Sequence, residues 1–582
     1  MVAIVVLTSC NNSFMDRFPE TDVTDKNFFK TVNDLKTYTN GFYGYISYTY
    51  GGEVSDDLFS NQGAGVYNLM RNQVTPQKAG TWGWGNIRNI NFFMEHYHTV
   101  QGPQREINNY VGIARLHRAW EYYKKVRSYS DVPWYSRSLK TSDAELLYKT
   151  QDSRVLVVDS IMNDLDFAVN NITDLTNKKR ISLWSALAIQ ARVALEEASW
   201  RKYHPELELD DADRFYAIAR DAAKKILDEG KFSLNTEVKD GMSGYRQNFI
   251  SLDLSQNPEM IMYAKFDKSL RRHNAQATLN NYYGFSRDLM EDYLAIKDGK
   301  AVPFHTIPDY QKMELTEVFE NRDSRIRDTF MQPGYIRADS SSPSVPKLGI
   351  GGYVIVKYDP LTEDQIGWDN SYTDIPMIRL AEVMLIYAEA KAELGELTQN
   401  DVDLTINKLR SRADMPQTSL DEMLNNIDPA QEQKSHNVTG AQKGAILEIR
   451  RERRIEYAGE DKRANDLYRW NLGERFEDFE GIYISKLGYT DLTGDGQPNI
   501  AIVATKEDAA QIPDADKDRY KLIIYVLSED IIYLSEGDHG YVKMSANKDS
   551  FKFIAPKYYY SPIATQDIVL NPNLKQNKFW TN

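Results

Sequence analysis

Two tryptophans, Trp82 and Trp84, stand in the run Thr81-Trp82-Gly83-Trp84-Gly85-Asn86. The flanking glycines leave them little local neighbourhood in which to be buried. An indole face suits the C–H face of a sugar ring, and the Asn86 amide both gives and accepts hydrogen bonds. The cluster therefore reads as a contact for a polyhydroxylated ligand; a competing reading makes one of the two a core aromatic ahead of Ile87 and Asn91. Tyr282, Tyr283, Trp368 and Tyr372 fall in a loop-rich stretch and are further candidates for ligand contact. Asp56 and Asp57 could hydrogen-bond hydroxyl groups, while Glu53 reads as a residue that ties down structure.

No motif encodes turnover. With 84 Asp and Glu residues, a carboxylate pair at glycosidase spacing arises by count alone and says nothing. There is no phosphate loop and no nucleophile elbow, and Gly349-Ile350-Gly351-Gly352 lacks the third glycine of a dinucleotide fingerprint because position 354 is Val. No catalytic residue and no cofactor is expected. Asp491, Thr493 and Asp495 place oxygens at alternate positions before Gly496, as in the start of a calcium loop, but the twelfth position is Ile502 where a bidentate Glu is wanted. Calcium stands beside the simpler reading of an Asp-Gly turn. His96 and His98 have no further zinc ligands placed nearby.

The elements that must carry these residues are mostly helices. Val158, Ile161, Met162, Leu165, Val169 and Ile172 share one helical face, with Asp152 or Ser153 able to cap it. Leu183, Leu187, Ala191, Ala194, Leu195 and Ala198 form the next stripe. Phe215, Ile218, Ala222 and Ile226 form a third, stopped by Gly230. Consecutive helices with alanine-rich faces suggest closely packed helical hairpins of the tetratricopeptide kind. Residues 231–375 read instead as loops and short strands, such as Tyr353 to Tyr358. Helix resumes at Pro376, in a first-turn position, and runs to a stop at Gly395. Another covers Ala441 to Tyr457, and a strand is expected at Leu522 to Leu527. Along Glu448, Glu452, Glu456 and Glu460 the spacing to Arg451 and its neighbours predicts ion pairs along the helix, with a structural role.

Composition excludes some partners. The net charge is -14, the wrong sign for a phosphate-binding surface, so nucleic acid is not expected. Aromatics are abundant, with 37 Tyr, 22 Phe and 9 Trp, and tyrosine pairs a flat apolar face with a hydroxyl suited to sugars or peptides. Cys10 is the one cysteine, so it staples nothing. It follows the apolar run Val2 to Leu7 and the small pair Thr8-Ser9, the pattern of a bacterial lipobox, in which lipid is attached to the sulfur and the peptide is cut just ahead of it. A signal of this kind carries a basic segment before the apolar run; none precedes Val2, so the start is expected further upstream.

Longer motifs carry a family likeness. Pro376-Met-Ile-Arg379-Leu-Ala-Glu382-Val-Met-Leu385-Ile-Tyr-Ala388-Glu389-Ala390 resembles a helix of the SusD/RagB-like outer-membrane lipoproteins of Bacteroidetes. So does Arg451-Glu-Arg453-Arg454-Ile-Glu456-Tyr457-Ala-Gly-Glu460, with Arg463, Asp466-Leu467 and Arg469-Trp470 after it. Tyr560-Ser-Pro-Ile563 and Asn571-Pro-Asn-Leu-Lys-Gln-Asn577 match at the end, and Phe28 to Tyr43, Glu53-Val-Ser-Asp56 and Leu116 to Pro133 near the start. The likeness spans nearly the whole chain and is least in 231–375.

The resemblance implies a mainly α fold of tetratricopeptide-like helix pairs with a loop-rich remainder bearing short strands. Residues 1–9 would be a signal-peptide remnant, and 10–582 a single domain that includes the variable 231–375 region. It further implies a surface-exposed protein, lipid-anchored to the outer membrane through Cys10. Its role would be to capture oligosaccharides and deliver them to a SusC-like TonB-dependent transporter. Peptide capture is the alternative within the family, and a surface glycoside hydrolase is an alternative of another class.

Overall fold

The computed structural model describes residues 28–581, apart from 52, 61–64, 81, 478, 530 and 546–551. Cys10 and the stretch from Asn11 to Phe18, on which the anchoring expectation falls, lie outside the described residues, as does Thr81.

The helical half is built as expected from the apolar stripes. Helix Gln104–Tyr129 packs on helix Arg154–Asn171, and helix Leu183–Tyr203 packs on Ala212–Glu229. Helix Leu380–Glu393 lies across Ala212–Glu229 and against Lys443–Glu456. Small residues permit these close approaches. A Cβ added at Gly112 would lie 3.2 Å from Ile172 Cγ1 and 3.4 Å from Ala168 Cα, so the first pair sits backbone to backbone. Ala188, Ala191, Ala194 and Ala198 are fully buried along the next interface. Ser153 is the residue that caps helix Arg154–Asn171, accepting from Leu156 N at 3.4 Å. Asp152 instead accepts from Trp134 N at 2.6 Å and holds the preceding loop. Gly230 and Gly395 follow their helices at φ 67° and 75°, the left-handed conformation that glycine adopts freely. Among the described residues no helix is long and apolar enough to cross a membrane.

These helices enclose one large aliphatic core. A second, aromatic-rich core includes Phe285, Phe330, Tyr353, Trp470, Phe476 and Tyr559, drawn from the loop-rich region and from the chain after helix Lys443–Glu456. Short strands frame it. Leu58–Ser60 pairs antiparallel with Tyr283–Phe285. Ile523–Val526, the strand expected near 522–527, runs parallel to Ile500–Val503. Helix Lys443–Glu456 bridges the two cores, placing Ala445, Ile446 and Ile449 in the first and Ile455 in the second.

Three local expectations are corrected. Pro376 does not open a helix. It lies in strand Ile375–Arg379, paired antiparallel with Met260–Ala264 at a place where the register shifts, and the helix begins at Leu380. A residue without an N–H fits such an irregular two-stranded ribbon as well as it fits a first helical turn. Tyr353 to Tyr358 is not a strand but buried chain making single bridges, Tyr353 to Phe285 and Ile355 to Phe330. It threads between other segments in the aromatic core, where burial alone produces the apolar run. Finally, the acidic and basic residues of 448–469 pair mainly across the fold. Only Arg451–Glu448 and Arg469–Asp466 keep the i, i+3 relationship.

Candidate functional site

Helix Gly85–His96 starts immediately after Trp84, whose carbonyl accepts from Arg88 N at 2.9 Å. Ile87, Ile90 and Phe93 are buried on its inner face, so the residues just ahead of it are held at the edge of the helical core. Asn91 fixes the neighbouring wall: its amide donates to Tyr135 O at 2.8 Å and accepts from Arg118 Nη1 at 3.2 Å. From the C-terminal side, Asp567 Oδ2 accepts from Trp82 N at 3.1 Å.

These three segments close a pocket of about 310 Å³. Trp82, Trp84 and Tyr135 form its aromatic side; Arg88, Asn91 and Asp567 are polar groups on its lining. Leu147 and Leu570 add an apolar rim, 39% and 65% exposed. The rings meet edge to face: Trp82 and Trp84 at 5.4 Å, Trp82 and Tyr129 at 5.2 Å, Trp84 and Tyr135 at 5.3 Å. Lys125 Nζ lies 4.3 Å from the Trp84 ring centre and donates to Gly83 O. Burial pushes the Lys125 ammonium down to about 8, and burial likewise pushes the Tyr135 hydroxyl up to about 12. A pocket with aromatic walls and a few convergent polar groups can orient a small ligand by stacking and hydrogen bonds.

The predicted contacts are thus only partly brought together. Trp82 and Trp84 share the pocket; Asn86 is half-buried on the first helical turn and does not line it. Tyr282 and Trp368 form a separate aromatic pair, 5.7 Å apart, with Trp368 49% exposed. Tyr283 pairs in the strand register with Ser60. The Tyr372 hydroxyl donates to Asp364 Oδ2 at 3.0 Å, and Lys268 lies 5.8 Å from its ring centre. None of these four residues lines the Trp82 pocket.

Asp56 and Asp57, expected among the ligand contacts, are instead engaged within the protein. They are 2% and 4% exposed and sit under arginines. Asp56 accepts from Arg463 Nε and Nη2, both at 2.8 Å, and from Arg475 Nε at 3.2 Å; Asp57 accepts from Arg454 Nε at 2.6 Å. Burial alone would raise the Asp56 carboxyl, but the guanidinium groups of Arg454, Arg463 and Arg475 more than offset it and hold it well below the usual range. Burial and the Asp56 charge push Asp57 the other way. Glu53 is exposed; its backbone N–H, not its carboxylate, ties the loop down, donating to Asp461 Oδ1 at 2.8 Å.

The Asp491 loop is closed by its own hydrogen bonds. Asp491 Oδ1 accepts from Thr493 N at 2.9 Å and Gly494 N at 2.7 Å, and Oδ2 from Gly496 N at 2.7 Å. This is the Asp-Gly turn geometry, and Asp495 accepts from Gln497 N at 2.9 Å. His96 stacks on Phe29 at 5.7 Å with its Nδ1 2.7 Å from Phe92 O. Among the described residues no group of His, Cys, Asp and Glu could hold a metal ion.

Sequence reasoning missed Tyr129, Tyr135, Lys125, Arg88, Asp567 and Leu570. Tyr135 follows the Asp131-Val132-Pro133 motif closely enough to have been included. Nothing local links Trp82 to Asp567, 485 residues away.

A profile of the SusD family matches residues 247–580, more than half of the chain. A SusD-like protein of Formosa agariphila is 23% identical over 448 residues, 72% of this chain and 81% of that protein. One from Bacteroides ovatus is 23% identical over 499 residues, 80% of each. Among solved structures, a SusD-like carbohydrate-binding protein from Bacteroides fragilis superposes with a TM-score of 0.65 at 18% identity, covering 94% of this chain and 100% of that one. The helix pairs, the loop-rich second core and the matched segment, which contains the charged helix joining them, agree: this chain is a member of the SusD family.

Proposed function

We propose that the chain captures oligosaccharides at the Trp82–Trp84 pocket and delivers them to a SusC-like TonB-dependent transporter, while a lipid on Cys10 holds it at the outer-membrane surface. The observation that carries this reading is the pocket itself: two indoles and Tyr135 stand beside Arg88, Asn91 and Asp567 in about 310 Å³. Stacking faces next to groups that give and accept hydrogen bonds match a sugar ring. Among the described residues Asp567 is the one carboxylate on that lining, whereas glycoside hydrolysis ordinarily uses a pair, which weighs against a hydrolase at this site. The carbohydrate-binding relative of the same fold supports the ligand class.

A glycan array run beside a peptide-binding screen separates the reading from peptide capture, and product analysis of any bound glycan reports hydrolysis. Glycan hits that Trp82→Ala weakens are expected. Peptide hits alone would overturn the ligand class. For the partner, affinity purification from detergent-solubilised outer membranes should bring down a TonB-dependent barrel, and Cys10→Ala should leave the protein free of the membrane. Recovery of the protein alone, or full membrane retention of the variant, would defeat those two steps.

A further inference from the structure

The segment Trp82-Gly83-Trp84 has no regular secondary structure, and helix Gly85–His96 begins directly after it. Its glycines are not wedged in place by packing: a Cβ added at Gly80, Gly83 or Gly85 would meet nothing within 4 Å. Two charged side chains from separate elements hold its backbone instead. Asp567 Oδ2, on helix Thr565–Leu570, accepts from Trp82 N at 3.1 Å. Lys125 Nζ, on helix Gln104–Tyr129, donates to Gly83 O at 2.5 Å and lies 4.3 Å from the Trp84 ring centre. Asp567 lines the Trp82 pocket, whereas Lys125 and Gly83 do not. Among the described residues Lys125 forms no ion pair, while its neighbour Lys124 pairs with Glu121 at 2.6 Å. The charge of this half-buried ammonium is therefore directed at one carbonyl and one indole face.

We propose, resting on the Trp82 pocket as the capture site, that Lys125 is a positioning residue for capture: it touches no ligand, but its ammonium holds Gly83 and Trp84 so that both indoles line the cavity. The cation–π contact and the charge-assisted hydrogen bond both need the positive charge. The neutral amine keeps at most a weaker bond to the carbonyl. Burial pushes the ammonium down to about 8, assisted by Lys124 and opposed by Glu121 and Asp567. The other groups around it are Tyr122 and Tyr129 on its own helix and Tyr135 against Trp84, with Arg88 and Arg137 on the pocket lining. Burial pushes all three tyrosine hydroxyls up, away from the range in which Lys125 loses its proton. The segment should therefore loosen as pH rises through about 8, and capture should weaken with it.

The test uses the full chain in detergent, labelled with 5-fluorotryptophan, and its first arm needs no ligand. Fluorine NMR gives a resonance for each of the nine tryptophans, and Trp82→Phe and Trp84→Phe assign the two that matter. From about pH 6.5 to about pH 9.5 those two should shift in the parent with a midpoint near 8. They should stay fixed in Lys125→Arg, whose guanidinium keeps its charge, and hold the high-pH position throughout in Lys125→Met. In the second arm the strongest hit of a glycan array is titrated by calorimetry. Its affinity should fall about tenfold over the same range in the parent and stay level in Lys125→Arg. Lys125→Met should bind it about tenfold more weakly than the parent at neutral pH. A merely structural lysine would give no pH profile that Lys125→Arg abolishes, and that comparison keeps the test decisive should Lys125→Met fold poorly. Resonances of Trp82 and Trp84 that do not move with pH in the parent, or parent-like glycan affinity in Lys125→Met, would overturn the proposal. An array without hits would defeat glycan capture itself, and the fluorine titration would then decide alone whether Lys125 holds the two indoles.

Discussion

The Arg454 guanidinium donates to Asp57 Oδ1 at 2.6 Å across 397 residues of sequence. The same group reaches Asp56 at 3.2 Å, Asp288 at 2.7 Å and Asp292, so one 1%-exposed arginine holds four carboxylates from two distant segments. Arg463, Arg475 and Lys434 compensate the surplus negative charge. A few residues along, Arg469 donates to both oxygens of Glu389 and to Asp466, with no exposure at all. These buried pairs fix how the charged helix seats between the two cores.

Removing one member should therefore unfold rather than disarm. Asp466→Ala strands Arg453 in the interior and takes from Arg469 one of its two carboxylates, leaving it Glu389, and a cost of about 3–5 kcal/mol is expected. Urea unfolding would read it. Ligand affinity in the folded fraction should be unchanged; a stable variant that has lost binding would refute a purely structural role.

Acid should strip the buried pair of Arg192 and Glu382. Burial raises Glu382, but Arg192 and Lys462 outweigh it and bring the carboxyl to about 2. A depressed folded value contributes stability that is fully present above the unfolded value, near 4.5, and lost as pH falls toward about 2. Glu382→Gln should thus be less stable than the parent at neutral pH, with the gap closing in that window. A gap that stays constant in thermal melts down to about pH 2 would contradict the assignment.

Glu196 should act with the opposite sign. Burial lifts it to about 7, partly opposed by Asn465, Arg469 and Arg453 and assisted by Asp466. The folded state then binds the extra proton between the unfolded value near 4.5 and 7, so the parent loses stability as pH rises through that range. Glu196→Gln should remove this loss and gain on the order of 1–3 kcal/mol at about pH 8. Parallel melting curves for the two proteins from mildly acidic to mildly basic pH would exclude it.

The two pocket tryptophans should separate. Trp84, with Lys125 above its ring and Tyr135 against it, is expected to cost mainly stability when replaced by Ala. Trp82→Ala should weaken glycan binding by about 1–3 kcal/mol, the loss expected for an aromatic anchor. Equal affinity in both variants for a glycan identified on the array would move the site to Tyr282 and Trp368.

What could be read without a structure was whatever depends on near neighbours in the chain. The stripes at 158–172, 183–198 and 215–226 specify helices because i, i+3 and i+4 positions share a face, and Gly230 and Gly395 stop helices because glycine accepts positive φ. The paired tryptophans stood out because glycines left them no local cover. Folding alone decided the rest. Asp56 and Asp57 looked like free hydroxyl binders until Arg454, Arg463 and Arg475 arrived from some 400 residues away to bury them. Pro376 suited a helix start and a ribbon equally, and pairing with Met260–Ala264 chose the ribbon. The Trp82 pocket needed Asp567, which arrives from 485 residues further along the chain. Ion pairs and cavities depend on spatial neighbours, and the local spacing that defines a helix carries no information about which distant segment will pack against it.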